Sequence, residues 1–193
     1  KPTWTNGNEQ NSYESGYQPA FSANGDGVLY YTSDGTDPVV SDSRQVYSSS
    51  ALTIDRNTRI RLVELQGEEY SAELSVFINI ETARQMTLDQ VIEGFLMDGG
   101  RSEYFTLHLT TPGDYVLSAG GDPFNRVATY GPEINNYSIR YSLLPYSFTV
   151  DSYDLNTNSG DLNLTVYSDY DTGSDTNYTL KVSRVLPALS FHG

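Results

Sequence analysis

An all-β fold, built as two tandem β-sandwich modules, is what this sequence predicts. Three observations carry that prediction. Apolar and polar residues alternate at period two in run after run, the mark of half-buried strands. Tyr, Thr, Ser, Asn, Asp and Gly dominate, with 16 tyrosines among 193 residues, and such a mixture suits strands and turns. Clusters of Gly, Pro, Asn and Asp separate the alternating runs, as they do in sandwiches of many short strands.

The elements follow in chain order. Residues 1–10, "KPTWTNGNEQ", read as a polar lead-in. "VLYYT" (28–32) sets Val28, Tyr30 and Thr32 on one face, with Leu29 and Tyr31 on the other. "LSVFINI" (74–80) lines up Leu74, Val76, Ile78 and Ile80. A polar stretch at 79–86 then marks a boundary, so the modules are expected at 1–80 and 85–185, with 186–193 as a tail. In "TLDQVIEGFLMDGG" (87–100) two periods compete. Leu88, Val91, Ile92, Phe95 and Leu96 fit a helix, with Thr87 and Gln90 as a capping box. Gly94 sits mid-run, and period two fits part of the same stretch, so patterning alone leaves helix and strand both open. "YFTLHLT" (104–110) alternates Phe105, Leu107 and Leu109 against Thr106, His108 and Thr110. "YSFTV" (146–150), "LNLTVY" (162–167) and "YTLKV" (178–182) close the second module.

The turn after "VLYYT" reads as a folding device. Asp34-Gly35 is a tight-turn pair, because Gly accepts φ > 0. Asp34 and Asp37 can accept backbone N–H groups within the turn. Pro38 ends ladder pairing.

With "YYTSDGTDP", "VYSSSALTI" and "NTRIRLVELQGEEYS" in this order, residues 12–80 resemble the C-terminal immunoglobulin-like domain of chitobiase and β-hexosaminidase. Arg61-Leu62 stands where that family usually has Lys-Ala. "VIEGFLMDGGRSEYFTLHLTTPGDYVLSA", "LNLTVYSD" and "NYTLKVSRV" give residues 86–185 a resemblance to the bacterial pre-peptidase C-terminal domain. Glu103-Tyr104-Phe105 stands where that family often has Asp-Tyr-Phe, and residues 120–160 match poorly. The resemblances imply an immunoglobulin-like module followed by a jelly-roll-like one, and a strand rather than a helix at 87–97. They also imply a non-catalytic accessory region of a secreted bacterial enzyme or surface protein, with the other domains of a parent protein as partners.

Composition narrows the function classes. The formal net charge is −14, from 25 acidic and 11 basic residues. Nucleic acids need a basic face, and the densest basic spot, Arg56, Arg59 and Arg61, lies among acids. The absence of cysteine excludes disulfides, thiolate zinc sites and a Cys nucleophile. No apolar run is long enough for a transmembrane helix. The chain starts at Lys1, which reads as a mature or excised fragment, secreted or displayed at a cell surface.

No catalytic set stands out, so an enzyme is not expected. The only histidines are His108, outward on its strand, and His192 in the tail, whereas a triad needs His beside a nucleophile and an acid. Calcium is the candidate cofactor, because it takes six to eight oxygen ligands. Asp151, Asp154, Asn156, Asn158 and Asp161 form one candidate set, and Asp169, Asp171 and Asp175 another. Asp154, Asn156 and Asn158 have the one-three-five spacing of a calcium loop. Ser159 in place of Gly, and Thr165 in place of the last Glu, exclude an EF-hand. Trp4, Tyr13, Tyr17, Tyr130 and Tyr137 lie in loop-like sequence and offer ring faces to sugars. The alternative reading is therefore a carbohydrate- or surface-protein-binding module, stiffened by calcium.

Overall fold

A computed structural model describes residues 1–97, 101–122, 126–130, 137–140, 143–157, 159–167 and 175–186. The chain divides into two compact units, Lys1–Thr82 and Ala83–Gly193. Both are all-β among the described residues, apart from one short helix and a 3-10 residue, Leu143, in the second.

The first unit contains β1 (Thr3–Trp4), β2 (Ser12–Tyr13), β3 (Phe21–Ser22), β4 (Val28–Thr32), β5 (Gln45–Val46), β6 (Thr58–Gln66), β7 (Glu69–Tyr70) and β8 (Leu74–Ile80). Its main sheet runs β2-β8-β6-β4-β5, with β7 beside β6. β1 and β3 form a separate two-stranded sheet. Alternation decides what faces inward. Leu29 and Tyr31 of β4, Ile60 and Leu62 of β6, and Val76, Ile78 and Ile80 of β8 share one core with Phe21, Leu52 and Ile54. Gly67 takes φ +63° in the turn between β6 and β7, and closes a tight hairpin there.

The second unit contains β9 (Arg84–Met86), β10 (Ile92–Leu96), β11 (Glu103–His108), β12 (Gly113–Gly121), β13 (Arg126–Tyr130), β14 (Tyr137–Arg140), β15 (Tyr146–Val150), α1 (Ser152–Thr157), β16 (Asp161–Tyr167) and β17 (Thr176–Arg184). One sheet is ordered β10-β17-β12-β15 and the other β14-β13-β16-β11-β9. Both contribute to one core, so the unit is a β-sandwich. Tyr115, Leu117, Tyr178, Leu180 and Val182 come from the first sheet, and Phe105, Leu107, Leu162, Leu164 and Val166 from the second.

Residues 92–96 form a strand. The Thr87–Gln90 capping contact does form, with the Thr87 N–H donating to Gln90 Oε1 at 3.0 Å. No helix follows, because Asp89 has φ 64°, a left-handed value that a helix cannot include. Ile92, Gly94 and Leu96 pair instead with Leu180, Tyr178 and Thr176 of β17. Gly94 has a packing reason to be Gly. A Cβ there would lie 2.1–2.5 Å from the Tyr178 ring and hydroxyl.

Tyr178 is buried across this strand pair, and its hydroxyl donates to Glu103 Oε2 at 2.7 Å. The same oxygen accepts the Phe95 N–H at 2.7 Å. The Arg84 guanidinium lies over the Phe105 ring, 4.7 Å from its centroid, and donates to the Glu93 carbonyl. Side chains of β9 and β11 thus bond the backbone of β10 from the facing sheet. Burial first, and then the Glu103 carboxylate, push the Tyr178 phenol well above its ordinary value.

Gly94→Ala should destabilise the protein by about 1–3 kcal/mol, the usual cost of overpacking, read as a lower denaturant midpoint. The folded state holds the Tyr178 phenol neutral. Its contribution is therefore whole below the free tyrosine value of about 10, and fades as pH rises through the higher folded value. Alkaline unfolding should follow, and Tyr178→Phe should flatten that limb in melts taken across the alkaline range.

Candidate functional site

Three of the five aromatic candidates come together. Trp4 on β1, Tyr13 on β2 and Tyr17 in the following loop form one cluster on the core of the first unit. Tyr13 and Tyr17 stack at 3.9 Å between centroids, and Trp4 lies 5.9 Å from Tyr13 and 6.5 Å from Tyr17. Loop residues 6–8 take up their polar ends. Asn6 Oδ1 accepts from Trp4 Nε1 at 3.2 Å and from the Tyr17 hydroxyl at 3.0 Å. The Tyr13 hydroxyl accepts the Asn8 N–H at 2.8 Å and donates to the Asn8 carbonyl at 3.0 Å. Gly7 sits against all three rings, where a Cβ would meet them at 2.4–2.6 Å. The segment read as a polar lead-in is a clasp closed over stacked rings. Tyr130 ends β13 and Tyr137 begins β14, and their side chains lie outside the described residues.

The acidic candidates separate. Asp151 and Asp154 cap α1 reciprocally: the Asp154 N–H donates to Asp151 Oδ1 at 2.8 Å, and the Asp151 N–H to Asp154 Oδ2 at 2.7 Å. Asp154 is 2% exposed, and its Oδ1 has no hydrogen-bond partner among the described residues. Asn156 is exposed. Residues two apart on a helix face different directions, so α1 does not bring Asp154 and Asn156 to one point. Asp161 Oδ1 lies 2.9 Å from His108 Nδ1 on the neighbouring strand β11. Asp175 directly precedes β17. Asn158, Asp169 and Asp171 lie outside the described residues. Among the described residues, no three His, Cys, Asp or Glu side chains gather closely enough to hold a metal.

The acids of the turn after β4 bond inward. Asp34 Oδ1 accepts the Thr36 N–H at 3.0 Å and the Thr36 hydroxyl at 2.6 Å. The Ser43 and Thr36 hydroxyls hold the Asp34 carboxyl below its ordinary value. Asp37 Oδ1 accepts the Val39 N–H at 2.8 Å. Arg61 forms a two-pronged ion pair with Glu73, at 2.8 and 2.6 Å, and donates to the Gly35 carbonyl at 2.9 Å.

One concavity among the described residues was not among the sequence candidates. A cleft of about 220 Å³ is lined by Lys1, Asn24, Gly25, Glu64, Gln66, Glu69, Tyr70 and Ser71. Glu64 forms its base. Its Oε2 accepts the Asn24 N–H at 2.9 Å, and its Oε1 accepts the N–H groups of Gly25 at 3.0 Å and Gly27 at 3.2 Å. These backbone donors, Asn24 first, hold the Glu64 carboxyl below its ordinary value. One signal for this site was legible. Ile60, Leu62 and Glu64 alternate along β6, so a carboxylate falls on the core-facing row. A charge there requires partners, and "ANGDG" (23–27) supplies them as bare backbone N–H groups. The exposed rim, with Gln66 and Glu69, is a hydrogen-bonding surface suited to a small polar ligand.

No family model matches the chain, and no curated protein matches it.

Glu64 should produce an acid limb in stability. Its folded value is depressed, so its contribution is present above the free carboxylate value of about 4.3 and is lost as pH falls through the folded value. Glu64→Gln should lower the denaturant midpoint at neutral pH and reduce the loss seen on acidification.

Proposed function

We propose that this chain is a non-catalytic accessory region of a secreted bacterial enzyme or surface protein. It spaces, stabilises or targets a partner domain, through an immunoglobulin-like module and a jelly-roll-like one. The observation that supports this most is the use made of the chemistry-bearing side chains. Glu64, Glu103, Asp34, Asp37, Asp151 and Asp154 each accept hydrogen bonds from the backbone of their own unit or from its hydroxyls. Trp4, Tyr13 and Tyr17 are bonded to their own loop. Such side chains hold loops to strands, as a spacer requires. No helix among the described residues is long and apolar enough to cross a membrane.

A second reading is a binding module for polysaccharide or a surface protein, stiffened by calcium. Two observations favour it: the polar cleft above Glu64, and Asp154 Oδ1, which has no hydrogen-bond partner among the described residues.

Thermal melts in millimolar calcium and in EDTA, with a pull-down on insoluble polysaccharides, separate the two. The accessory reading expects the same melting temperature in both buffers and no retention on the polysaccharides. A rise growing with calcium concentration, as for any ligand selective for the folded state, would favour the second reading. Retention that Gln66→Ala and Glu69→Ala abolish would favour it too.

A further inference from the structure

The chain contains two Asn-Gly pairs, Asn6-Gly7 and Asn24-Gly25. In such a pair the glycine nitrogen attacks the asparagine Cγ, because no Cβ shields it. Both asparagines are exposed, so exposure does not separate them. Hydrogen bonding does.

The Asn6 amide is locked at both ends. Its Oδ1 accepts from Trp4 Nε1 at 3.2 Å, the Tyr17 hydroxyl at 3.0 Å and the Ala20 N–H at 2.7 Å, and its Nδ2 donates to the Gln18 carbonyl at 3.0 Å. Gly7 is wedged against three rings. The Asn24 side chain makes no hydrogen bond among the described residues, and only its N–H is engaged, with Glu64. The attacking atom beside it, Gly25 N, is held 3.0 Å from Glu64 Oε1.

We propose that Asn24-Gly25 is a site of spontaneous deamidation, from which Asn6-Gly7 is protected by its hydrogen bonds. The Gly25 N–H swings off Glu64 Oε1, loses its proton to water or base, and the nitrogen bonds to Asn24 Cγ. The Cγ–Nδ2 bond breaks, ammonia leaves, and a five-membered succinimide forms. Water then opens either carbonyl, giving aspartate or isoaspartate. Each product adds one negative charge beside the Glu64 carboxylate. Isoaspartate also adds a methylene to the main chain before Gly25, which draws that N–H off Glu64 and loosens the cleft wall.

The test is ageing of the intact chain at mildly alkaline pH, followed by peptide mapping. A glutamate-specific protease separates residues 1–9 from 15–64, and fragmentation locates the mass gain. Conversion at Asn24 should outpace that at Asn6 by about tenfold or more: four side-chain hydrogen bonds must break at Asn6, against the one that holds the Gly25 N–H to Glu64, and each ordinary bond is worth a factor of about 2–13. Gly25→Ala should slow Asn24 severalfold, since its methyl crowds the attacking nitrogen and meets first the movable Gln66 amide. Equal rates at the two asparagines would overturn the proposal. So would a stable Asn24, or an unchanged Asn24 rate in Gly25→Ala.

Discussion

Between the two sheets of the second unit, Glu103 Oε2 accepts one hydrogen bond from the Tyr178 hydroxyl and another from the Phe95 N–H. Its residue belongs to one sheet, and both donors belong to the other. A buried carboxylate is costly without partners and strongly held with them. The bond places Tyr178, and Tyr178 then fills the space above Gly94. That packing makes residues 92–96 a strand despite their mixed periodicity. Sheet edge, core aromatic and glycine choice all follow from where one carboxylate is buried.

The first unit uses the same chemistry in another place. Glu64 gathers three N–H groups from the β3–β4 loop, and Asp34 gathers a backbone N–H and a hydroxyl in the next loop. Tight loops leave backbone donors that no ladder can satisfy. In a chain of net charge −14, carboxylates are the acceptors at hand. Part of the acidity is structural.

The strands were legible where apolar residues alternate. Leu74, Val76, Ile78 and Ile80 alternate in sequence and share one core in the fold. Phe105, Leu107 and Leu109 do the same in the second unit. The all-β class follows from such rows. Gly94 was ambiguous because its reason lies in Tyr178, far along the chain and adjacent only in the folded sheet. The helix at Ser152–Thr157 was hidden because Asp151 and Asp154 fit both a cation loop and a reciprocal cap. Spacing alone does not say whether two carboxylates face an ion or a peptide N–H. The aromatic candidates were located as a group, but the ring-to-loop bonds that join Trp4, Tyr13 and Tyr17 to residues 6–8 depend on how the loop returns. Glu64 alternates with Ile60 and Leu62 in the sequence, but the cleft itself does not show there, because the N–H groups that hold the carboxylate depend on how residues 24–27 fold back over β6.

A strand at the border of a sheet ordinarily presents backbone groups on which a strand from another molecule can add. β10 is such a strand. The Arg84 guanidinium and the Glu103 carboxylate already occupy the Glu93 carbonyl and the Phe95 N–H. A foreign strand would have to displace two charged side chains from these backbone groups. Strand addition at β10 is thereby disfavoured at contact range, by bonds within the unit, whereas repulsion from the net charge weakens as salt screens it.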